Sequence, residues 1–419
     1  MRSILGFLLI IAPTFFSSGI RAEEPAVPEK RPNLVFLMTD NQRWDALGCY
    51  GNSIIQTPNI DRLAAQGLRF TNAFCTTSIC AATRASIFTG QYRRTHGYTF
   101  EKPPMTIEAM RKTYPAVLKK AGYRTGFVGK IGVRLNRGTA EEIFDFSRFN
   151  QASGRNQPYY RKAPDGTIKH LTRINGDQAV DFVRSSIPKQ PFCLSVSFSA
   201  PHPEDDNARQ YIYDRELEHL YRGVTIPPPP VSEPEYFEQL PGFLRVSMGR
   251  QRWFRRFDTP EKYQGMMKAM YRLITGVDIQ VGRILDEIRK QGVEDNTIIV
   301  FTSDNGLLTG EHGITGIWLM YEPSIRVPLI IHDPRQPEAG RGKAVSGLAL
   351  NVDFGPTLLD LAGVEIPAAM QGRSLVPLLT GNSQDWPTDF FYEHYFRPSG
   401  LKTNENNIPR SEGLRSKRW

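Results

Sequence analysis

Residues 75–90, CTTSICAATRASIFTG, combine small and hydroxyl-bearing residues with a cysteine and an arginine one helical turn apart. The part from 81 to 88 is rich in helix formers, and Gly90 follows as a residue that commonly ends helices. The pattern predicts a helix with Cys80 at or near its N-terminus, where free N–H groups favour negative charge. Arg84 lies one turn later on the same face, so its guanidinium can bind a tetrahedral anion beside Cys80. A buried cysteine next to an ordinary helix is the alternative, and the spacing alone leaves both interpretations open.

Length and composition indicate one large α/β domain with a small appendage. The chain has 419 residues, of which 40% are hydrophobic, so it can bury a sizeable core. Its net charge of +9 favours an anionic partner or substrate. Nucleic acid is not expected as that partner, because we find no nucleic-acid-binding motif and the chain begins like an exported protein. Four cysteines are too few for a disulfide framework.

The N-terminus is typical of a secretory signal peptide. Arg2 precedes an apolar run over residues 4–16, and Ala22 is a credible cleavage residue. The run is too short to span a bilayer comfortably, although an uncleaved anchor is the alternative. We therefore assign residues 1–22 to a signal peptide and expect an exported protein, periplasmic or secreted, with no stable membrane span.

Apolar runs alternate with helical patterns along the chain. This alternation is typical of an α/β fold with a doubly wound, mainly parallel sheet flanked by helices. Residues 203–260, rich in proline and aromatic residues, interrupt the pattern and are expected to form a loop-rich insertion that shapes the substrate entrance. Predicted strands cover residues 33–39, 125–128, 192–198, 297–302 and 328–331, and predicted helices cover 58–67, 81–88, 113–120, 266–290 and 352–361.

Polar pairs follow two of the predicted strands directly. Asp40 and Asn41 end the first strand, and Asp304 and Asn305 end a later one. In open parallel sheets, ligands bind just beyond the carboxyl ends of the strands. Carboxylate and amide oxygens suit Ca²⁺ or Mg²⁺ better than a soft transition metal. A single such pair is more often a turn or a helix cap, but two pairs with the Cys80 stretch between them favour a metal site.

Several motifs together resemble the sulfatase family. The run from Cys80 to Arg84, followed by Thr89 and Gly90, is similar to the signature C-x-P-S-R-x-x-x-x-T-G of formylglycine-dependent type I sulfatases, members of the alkaline phosphatase superfamily. The chain is similar to bacterial iduronate-2-sulfatase-like and arylsulfatase-like members, and the resemblance extends from about residue 31 to about residue 379. Further matching blocks are 57–64 (TPNIDRLA), 122–130 (GYRTGFVGK), 302–306 (TSDNG), 310–313 (GEHG) and 324–328 (SIRVP).

The resemblance implies an alkaline phosphatase-like fold and a set of site residues. Cys80 would be converted to formylglycine by a formylglycine-generating enzyme, and its hydrated aldehyde would be the nucleophile. Arg84 and Lys130 would bind the sulfate oxygens, and His202 would protonate the departing alcohol. His312 would also bind substrate. The residues implied to hold Ca²⁺ or Mg²⁺ are Asp40, Asn41, Cys80, Asp304 and Asn305.

The resemblance also divides the chain. Residues 31–379 would form the catalytic domain, and residues 380–419 would begin a C-terminal subdomain. Related sulfatases continue there into a small antiparallel sheet, whereas residues 410–419 look like the approach to a strand that does not follow. We therefore expect a truncated subdomain, with apolar surface exposed near residues 390–396.

Five departures from the family pattern bear on activity, and two of them are Ala82 and Thr83, which stand where the signature has Pro and Ser. Asn41 replaces the usual Asp, Gly132 stands where the family places a His after Lys130, and Ile317 stands where it places a sulfate-binding Lys. His96 is a possible substitute for the missing His. The favoured function is hydrolysis of sulfate esters on sulfated carbohydrates. The alternatives are a pseudo-sulfatase that binds sulfated glycans, and a phosphoester hydrolase, against which Arg84 in its signature position argues.

Overall fold

Strand β1 (Asn33–Thr39) lies in the middle of the protein, and all seven of its residues are buried. The computed structural model describes residues 31–100, 102–150, 158–186, 190–395 and 408–416. The signal peptide predicted over residues 1–22 lies outside this described part. Within it, no helix is both long enough and apolar enough to cross a membrane.

The strands and helices of the described part alternate along the chain. The strands are β1, β2 (Leu68–Phe70), β3 (Ala73–Phe74), β4 (Arg124–Gly129), β5 (Phe146–Phe149), β6 (Tyr160–Lys162), β7 (Ile168–His170), β8 (Phe192–Ser197), β9 (Thr297–Ser303), β10 (Leu308–Thr309), β11 (Thr315–Gly316), β12 (Leu329–His332), β13 (Ala344–Val345), β14 (Ala349–Leu350), β15 (Asp389–His394) and β16 (Ser411–Ser416). The helices are α1 (Pro58–Gln66), α2 (Cys80–Thr89), α3 (Arg93–His96), α4 (Ile107–Met110), α5 (Tyr114–Lys120), α6 (Thr139–Ile143), α7 (Leu171–Arg184), α8 (Pro234–Glu238), α9 (Gly242–Arg245), α10 (Met248–Arg256), α11 (Pro260–Lys290), α12 (Glu322–Ile325), α13 (Phe354–Leu361) and α14 (Val376–Leu379).

Eight strands form the central sheet in the order β13-β2-β12-β9-β1-β8-β4-β5. The run β9-β1-β8-β4-β5 is parallel throughout, with Val35 of β1 opposite both Leu194 of β8 and Ile299 of β9. Strand β12 is antiparallel to β9 and to β2. The predicted fold class, a mainly parallel sheet, is therefore confirmed, with the antiparallel strand on one side only.

The alternation of side chains along β1 builds a core on each face of the sheet. Val35 and Leu37 belong to one apolar cluster, which includes residues of α1, α7 and α11. Leu34 and Phe36 belong to the other, which includes residues of α5 and α13. Because a strand buried on both faces has no polar side, β1 is an unbroken apolar run, as the sequence suggested. Helices cover both faces, which is the doubly wound arrangement.

The predicted elements occur within two residues of their expected ends, with one exception. Helix α11 begins at Pro260, six residues before the predicted start at residue 266. The start signals were present, because Pro260 occupies the first turn and the Thr259 hydroxyl accepts a hydrogen bond from the Lys262 N–H at 3.3 Å. The insertion at 203–260 is mostly loop, as expected, but it also contains α8, α9 and α10.

The C-terminal segment differs from its prediction. Ser411–Ser416, expected only to approach a strand, is itself a strand and pairs antiparallel with β15. The expected exposed apolar surface is also wrong for Phe390 and Tyr392, which are 4% and 0% exposed and pack with Phe74. Side chains alternate across the strand, so only one face, with Phe391 38% exposed, meets solvent. The boundary between residues 379 and 380 stays a prediction.

Candidate active site

Helix α2 begins at Cys80, as the sequence predicted. All ten of its residues are buried, so the helix lies inside the protein rather than on its surface. It ends at Gly90, whose φ of 62° is left-handed and whose N–H donates to the Ser86 carbonyl at 2.8 Å. A glycine there avoids the steric cost that a Cβ would bring. Gly90 thus ends the helix, and its other end, at Cys80, lies against Asp40 at the end of β1.

Cys80 lies against the polar pair that ends β1. Its Sγ is 3.4 Å from Asp40 Oδ1 and 4.0 Å from Asn41 Oδ1. Burial, followed by the negative charge of Asp40, raises the pKa of the Cys80 thiol well above its usual value. The unmodified side chain is therefore a neutral thiol and a poor nucleophile.

Four adjacent strands end close to Cys80, and a residue that comes after each of them lies near its side chain. Strands β9, β1, β8 and β4 are neighbours in the sheet, and Asp304, Asp40, His202 and Lys130 follow them in the chain. The ligand atoms of Asp40, Cys80 and His202 lie within 4.8 Å of one another. The parallel sheet thus brings together residues that are far apart in sequence, at the edge where ligand sites are expected.

Two cations neutralise the carboxylates of this cluster. Arg84 is fully buried and donates from Nε to Asp304 Oδ2 at 2.9 Å and from Nη2 to Asp40 Oδ2 at 3.1 Å. Lys130 Nζ forms an ion pair with Asp40. Burial raises the pKa of Asp40, but Lys130, His202 and Arg84 together hold it well below its usual range. Asp40 is therefore an ionised carboxylate with opposite charge on two sides.

The oxygen atoms at the two strand ends face each other. Asn41 has a left-handed φ of 66°, and its N–H donates to Asp304 Oδ1 at 3.2 Å. Asn305 Nδ2 donates to Asn41 Oδ1 at 2.6 Å. Asn305 Oδ1 is buried and has no hydrogen-bond partner among the described residues. Burial and the charge of Asp40 raise the pKa of Asp304 to about 6. An orphaned oxygen in a cluster that holds carboxylates fits a hard cation, and the assignment of Asp40, Asn41, Cys80, Asp304 and Asn305 as its ligands stays a prediction.

His202 completes the cluster from the loop after β8. Its Nδ1 lies 2.7 Å from the Pro203 carbonyl oxygen, to which it can donate. That contact leaves Nε2 for a substrate. Burial lowers the pKa of His202, and the charge of Asp40 only partly opposes the shift. A protonated ring in this place would give up its proton readily.

Comparison with known proteins identifies this constellation. The family model described as Sulfatase matches residues 32–364. The chain belongs to the sulfatase family. A second family model, described as N-sulphoglucosamine sulphohydrolase, C-terminal, matches residues 310–419. The predictions of the family and of a sulfuric ester hydrolase are thus confirmed.

Characterised relatives of this sulfatase share most of its length. An N-acetylglucosamine-6-O-sulfatase of Bacteroides thetaiotaomicron is 31% identical, over 92% of this chain and 77% of its own. An arylsulfatase of Clostridium perfringens is 29% identical, over 87% of this chain and 82% of its own. A solved structure, described as a complex with its substrate D-glucosamine-2-N,6-O-disulfate, has a TM-score of 0.75 and 29% identity, covering 92% of this chain and 87% of that one.

The structure gives different surroundings to three residues that the sequence analysis named, His312, Ile317 and His96. His312 has aromatic neighbours, with its ring 4.8 Å from that of Tyr321, and its predicted contact with substrate stays a prediction. Ile317 is 7% exposed and belongs to the same apolar cluster as Cys80. His96 is bound elsewhere, with Nε2 3.0 Å from Ser86 Oγ and Nδ1 accepting from the Tyr98 N–H. His96 is therefore occupied by other partners and does not replace the missing family histidine in this structure.

Sequence reasoning missed what Gly132 does in this site. Gly132 has a left-handed φ of 74°, and a Cβ added there would lie 2.1 Å from Cδ of Arg84. The absent side chain therefore leaves the space that the Arg84 stem occupies. Arg84 also contacts Ser197 at the end of β8, a second partner that the motifs did not indicate. Gly132 was visible only as a departure from the family pattern, because its neighbour lies 48 positions away in the chain.

Proposed function

We propose that this sulfatase hydrolyses sulfate esters of carbohydrates, with Cys80 converted to formylglycine as the nucleophile. The main support for the proposal is that the ligand atoms of Cys80, Asp40 and His202 lie within 4.8 Å of one another, near the ends of parallel strands. Conversion is supported by the similarity of the run from Cys80 to Arg84 to the family signature and by the position of Cys80 at the start of helix α2. A hydrated formylglycine would supply a hydroxyl group to attack sulfur.

We further propose that Asp40, Asn41, Asp304 and Asn305, together with residue 80, hold one Ca²⁺ or Mg²⁺. All four side chains are at most 4% exposed, and the Asn305 Oδ1 lacks a described partner. The cation would offset negative charge that develops on the sulfate. Asn41 would contribute a neutral oxygen where the family usually has a carboxylate, so the ligands together would carry one negative charge fewer.

The chain's own cations and histidine have separate roles in this proposal. Lys130 has 14% of its side chain exposed, so its ammonium can meet a sulfate oxygen while staying near Asp40. Arg84 has no exposed surface and donates to both carboxylates, so here its contacts orient them. Direct contact of Arg84 with sulfate stays a prediction. His202 Nε2 would protonate the departing alcohol oxygen, which would otherwise leave as an alkoxide.

The proposed setting is an exported compartment in which a formylglycine-generating enzyme has acted before or during export. The support is the signal-like sequence of residues 1–22 and the basic net charge of +9, which suits sulfated glycans. One characterised relative acts, by its name, on N-acetylglucosamine 6-O-sulfate groups, and this is the type of carbohydrate with which we would begin.

The test compares Cys80→Ala with Cys75→Ala in protein produced together with a formylglycine-generating enzyme. Both cysteines are buried, 2% and 0% exposed, but only Cys80 contacts Asp40. Mass spectrometry of the Cys80 peptide first establishes conversion, and sulfate release from sulfated sugars is then measured. We expect Cys75→Ala to retain activity and Cys80→Ala to lose it. A converted protein that binds sulfated sugars but releases no sulfate would instead support the glycan-binding pseudo-sulfatase.

A further inference from the structure

A group of charged side chains, one fully buried and two partly exposed, lies beside the active site but has no part in the proposed reaction. We call it the Asp205 cluster; its members are Asp205, Arg252, Arg256 and Tyr211. Asp205 Oδ1 accepts from Arg256 Nη2 at 2.6 Å, and Oδ2 accepts from Arg252 Nη2 at 3.1 Å. The two arginines are four residues apart on α10, so they share one face of that helix. Two guanidinium groups on one carboxylate leave a surplus positive charge.

The cluster is attached to the active site on two sides. Asp205 follows His202 by three residues in the same loop, and each is among the charges that shift the pKa of the other, after the larger effect of burial. The guanidinium carbon of Arg252 lies 4.9 Å from the centre of the Trp318 ring. The Trp318 N–H donates to the Ser78 carbonyl at 3.0 Å, two residues before Cys80. Arg252 is therefore held between the segment that carries His202 and the segment that leads to Cys80.

Two donors of the cluster have no hydrogen-bond partner within the part of the chain that the structure describes. Arg256 is fully buried, and its Nη1 has no hydrogen-bond partner among the described residues. The hydroxyl of Tyr211, which is 1% exposed, also has none there. Buried donors are nearly always paired, so orphaned donors within a surplus of positive charge indicate a place for anionic oxygen. Of the two arginines, Arg252 is the one that a ligand can reach, because 24% of its side chain is exposed, against none for Arg256.

The charge state of Arg252 agrees with this interpretation. Burial lowers the pKa of Arg252 to about 10, with Asp205 opposing the shift and Arg256 adding to it. The side chain therefore stays charged at neutral pH, although the negative charge of Asp205 does not fully offset the effects of burial and of Arg256. An oxyanion bound at Arg252 would relieve the repulsion between the two guanidinium groups.

We propose that Arg252, oriented by Asp205 and the Trp318 ring, binds a second acidic group of the glycan while the scissile sulfate lies at Cys80. The second group is a sulfate or a carboxylate on the same or the adjoining sugar. The inference rests on the proposed function and adds a substrate class to it: sugars that carry at least two negative groups. Arg256 and Tyr211 form the buried base of this subsite, and the basic helix α10 is part of the substrate entrance.

The test uses two substrates that differ only in the second acidic group, a 6-O-sulfated glucosamine with and without N-sulfation. The variants are Arg252→Gln and, as a matched control, Arg245→Gln. Arg245 precedes α10 in the same basic segment, is exposed, and forms no ion pair with a described residue. Loss of a hydrogen bond to a charged group predicts that Arg252→Gln lowers kcat/KM for the disulfated sugar about 10–100-fold more than for the monosulfated one. Arg245→Gln should leave both values near those of the parent. Equal losses on the two substrates, or the same effect from Arg245→Gln, would overturn the proposal.

A binding measurement separates this inference from the proposed function. In the Cys80→Ala background no turnover is expected, so calorimetry can report the Kd of each sugar directly. We expect the disulfated sugar to bind more tightly, and the added Arg252→Gln substitution to remove that preference. Asp205 keeps its contact with Arg256 in this variant, so the loop should remain folded, which thermal unfolding checks. If the two sugars bind equally to the Cys80→Ala protein, the subsite does not exist, whatever the fate of catalysis.

Discussion

Gly132 is the position where a single added carbon tests the placement of Arg84. In Gly132→Ala, the new Cβ would lie 2.1 Å from Arg84 Cδ and 3.0 Å from Nε. Carbon atoms in contact are normally ~3.5–4.0 Å apart, so the overlap with Cδ is about 1.4 Å or more. The clash falls on the middle of the side chain, not on a mobile tip. Arg84 has no exposed surface, so the stem cannot relieve the clash by turning into solvent.

The expected consequence is a displaced guanidinium. Movement of the Arg84 stem by about 1 Å would lengthen its contacts with Asp304 and Asp40, now 2.9 and 3.1 Å. Misplacement of a catalytic-site group by this amount can lower the rate about 100-fold, and we expect that loss in kcat/KM. The left-handed φ of 74° adds a backbone cost of about 1–2 kcal/mol to the free energy of folding.

Gly138→Ala is the matched control for the backbone cost. Gly138 has a φ of 83°, and an added Cβ there would meet nothing within 4 Å. Backbone strain should lower the free energy of unfolding of both variants by a similar amount, and the clash with Arg84 should lower that of Gly132→Ala further, as measured by urea titration. Only Gly132→Ala should lose sulfate release, measured with a sulfated sugar after conversion of Cys80 has been established.

A double-mutant cycle completes the experiment. Once Arg84→Ala has removed the stem, Gly132→Ala has nothing to displace, so it should lower kcat/KM no further. Equal activity of Gly132→Ala and Gly138→Ala would show that the added carbon does not displace Arg84. So would a full additional loss when Gly132→Ala is added to Arg84→Ala.

Three further predictions concern the cation, the anion site and the C-terminal strand. Metal analysis should find about one Ca²⁺ or Mg²⁺ per chain and none in Asp304→Ala; stoichiometric zinc in the parent would contradict the ligand assignment. Ile317→Lys should raise kcat/KM of the converted protein by up to about 10²–10³-fold, because an ammonium would reach the sulfate. The same change should lower the unfolding temperature, because it buries a charge. No gain in rate would show that another group already fills the position. Tyr392→Phe should lower the free energy of unfolding by about 1–3 kcal/mol, because the hydroxyl donates to the Trp318 carbonyl at 2.6 Å and accepts from the Ser78 N–H at 3.3 Å; an unchanged urea midpoint would show that these groups find other partners.

Much of the fold could be predicted because its strands and helices carry local signals. β1 is apolar on both faces, which only a strand between two helical layers requires. The end of α2 is marked by Gly90, and the start of α11 by Thr259 and Pro260. The strand at Ser411–Ser416 was missed because its polar sequence has little β character. Its pairing with β15 supplies the hydrogen bonds that its own side chains do not indicate.

The parts of the candidate site that could be predicted are the polar residues that directly follow a strand. Asp40 and Asp304 each follow an apolar run directly, and the rule that ligands bind beyond strand ends is enough to join them. The rule does not say how the side chains share their partners. That Arg84 spans both carboxylates, and that one oxygen of Asn305 is left over, follows from the register of β1 against β9.

The family, the cysteine at a helix start and the residue types that can hold a hard cation could all be derived from the amino-acid sequence. The space that Gly132 leaves for Arg84, and the contact of Arg252 with Trp318, became visible only in the folded chain. The difference lies in how far apart in sequence the interacting residues are. Helix starts, strands and helix caps depend on neighbours within a few residues, so a short piece of sequence is enough to predict them. Contacts such as that between Arg252 and Trp318 join segments with no shared pattern, and the packing of the whole chain sets their distance.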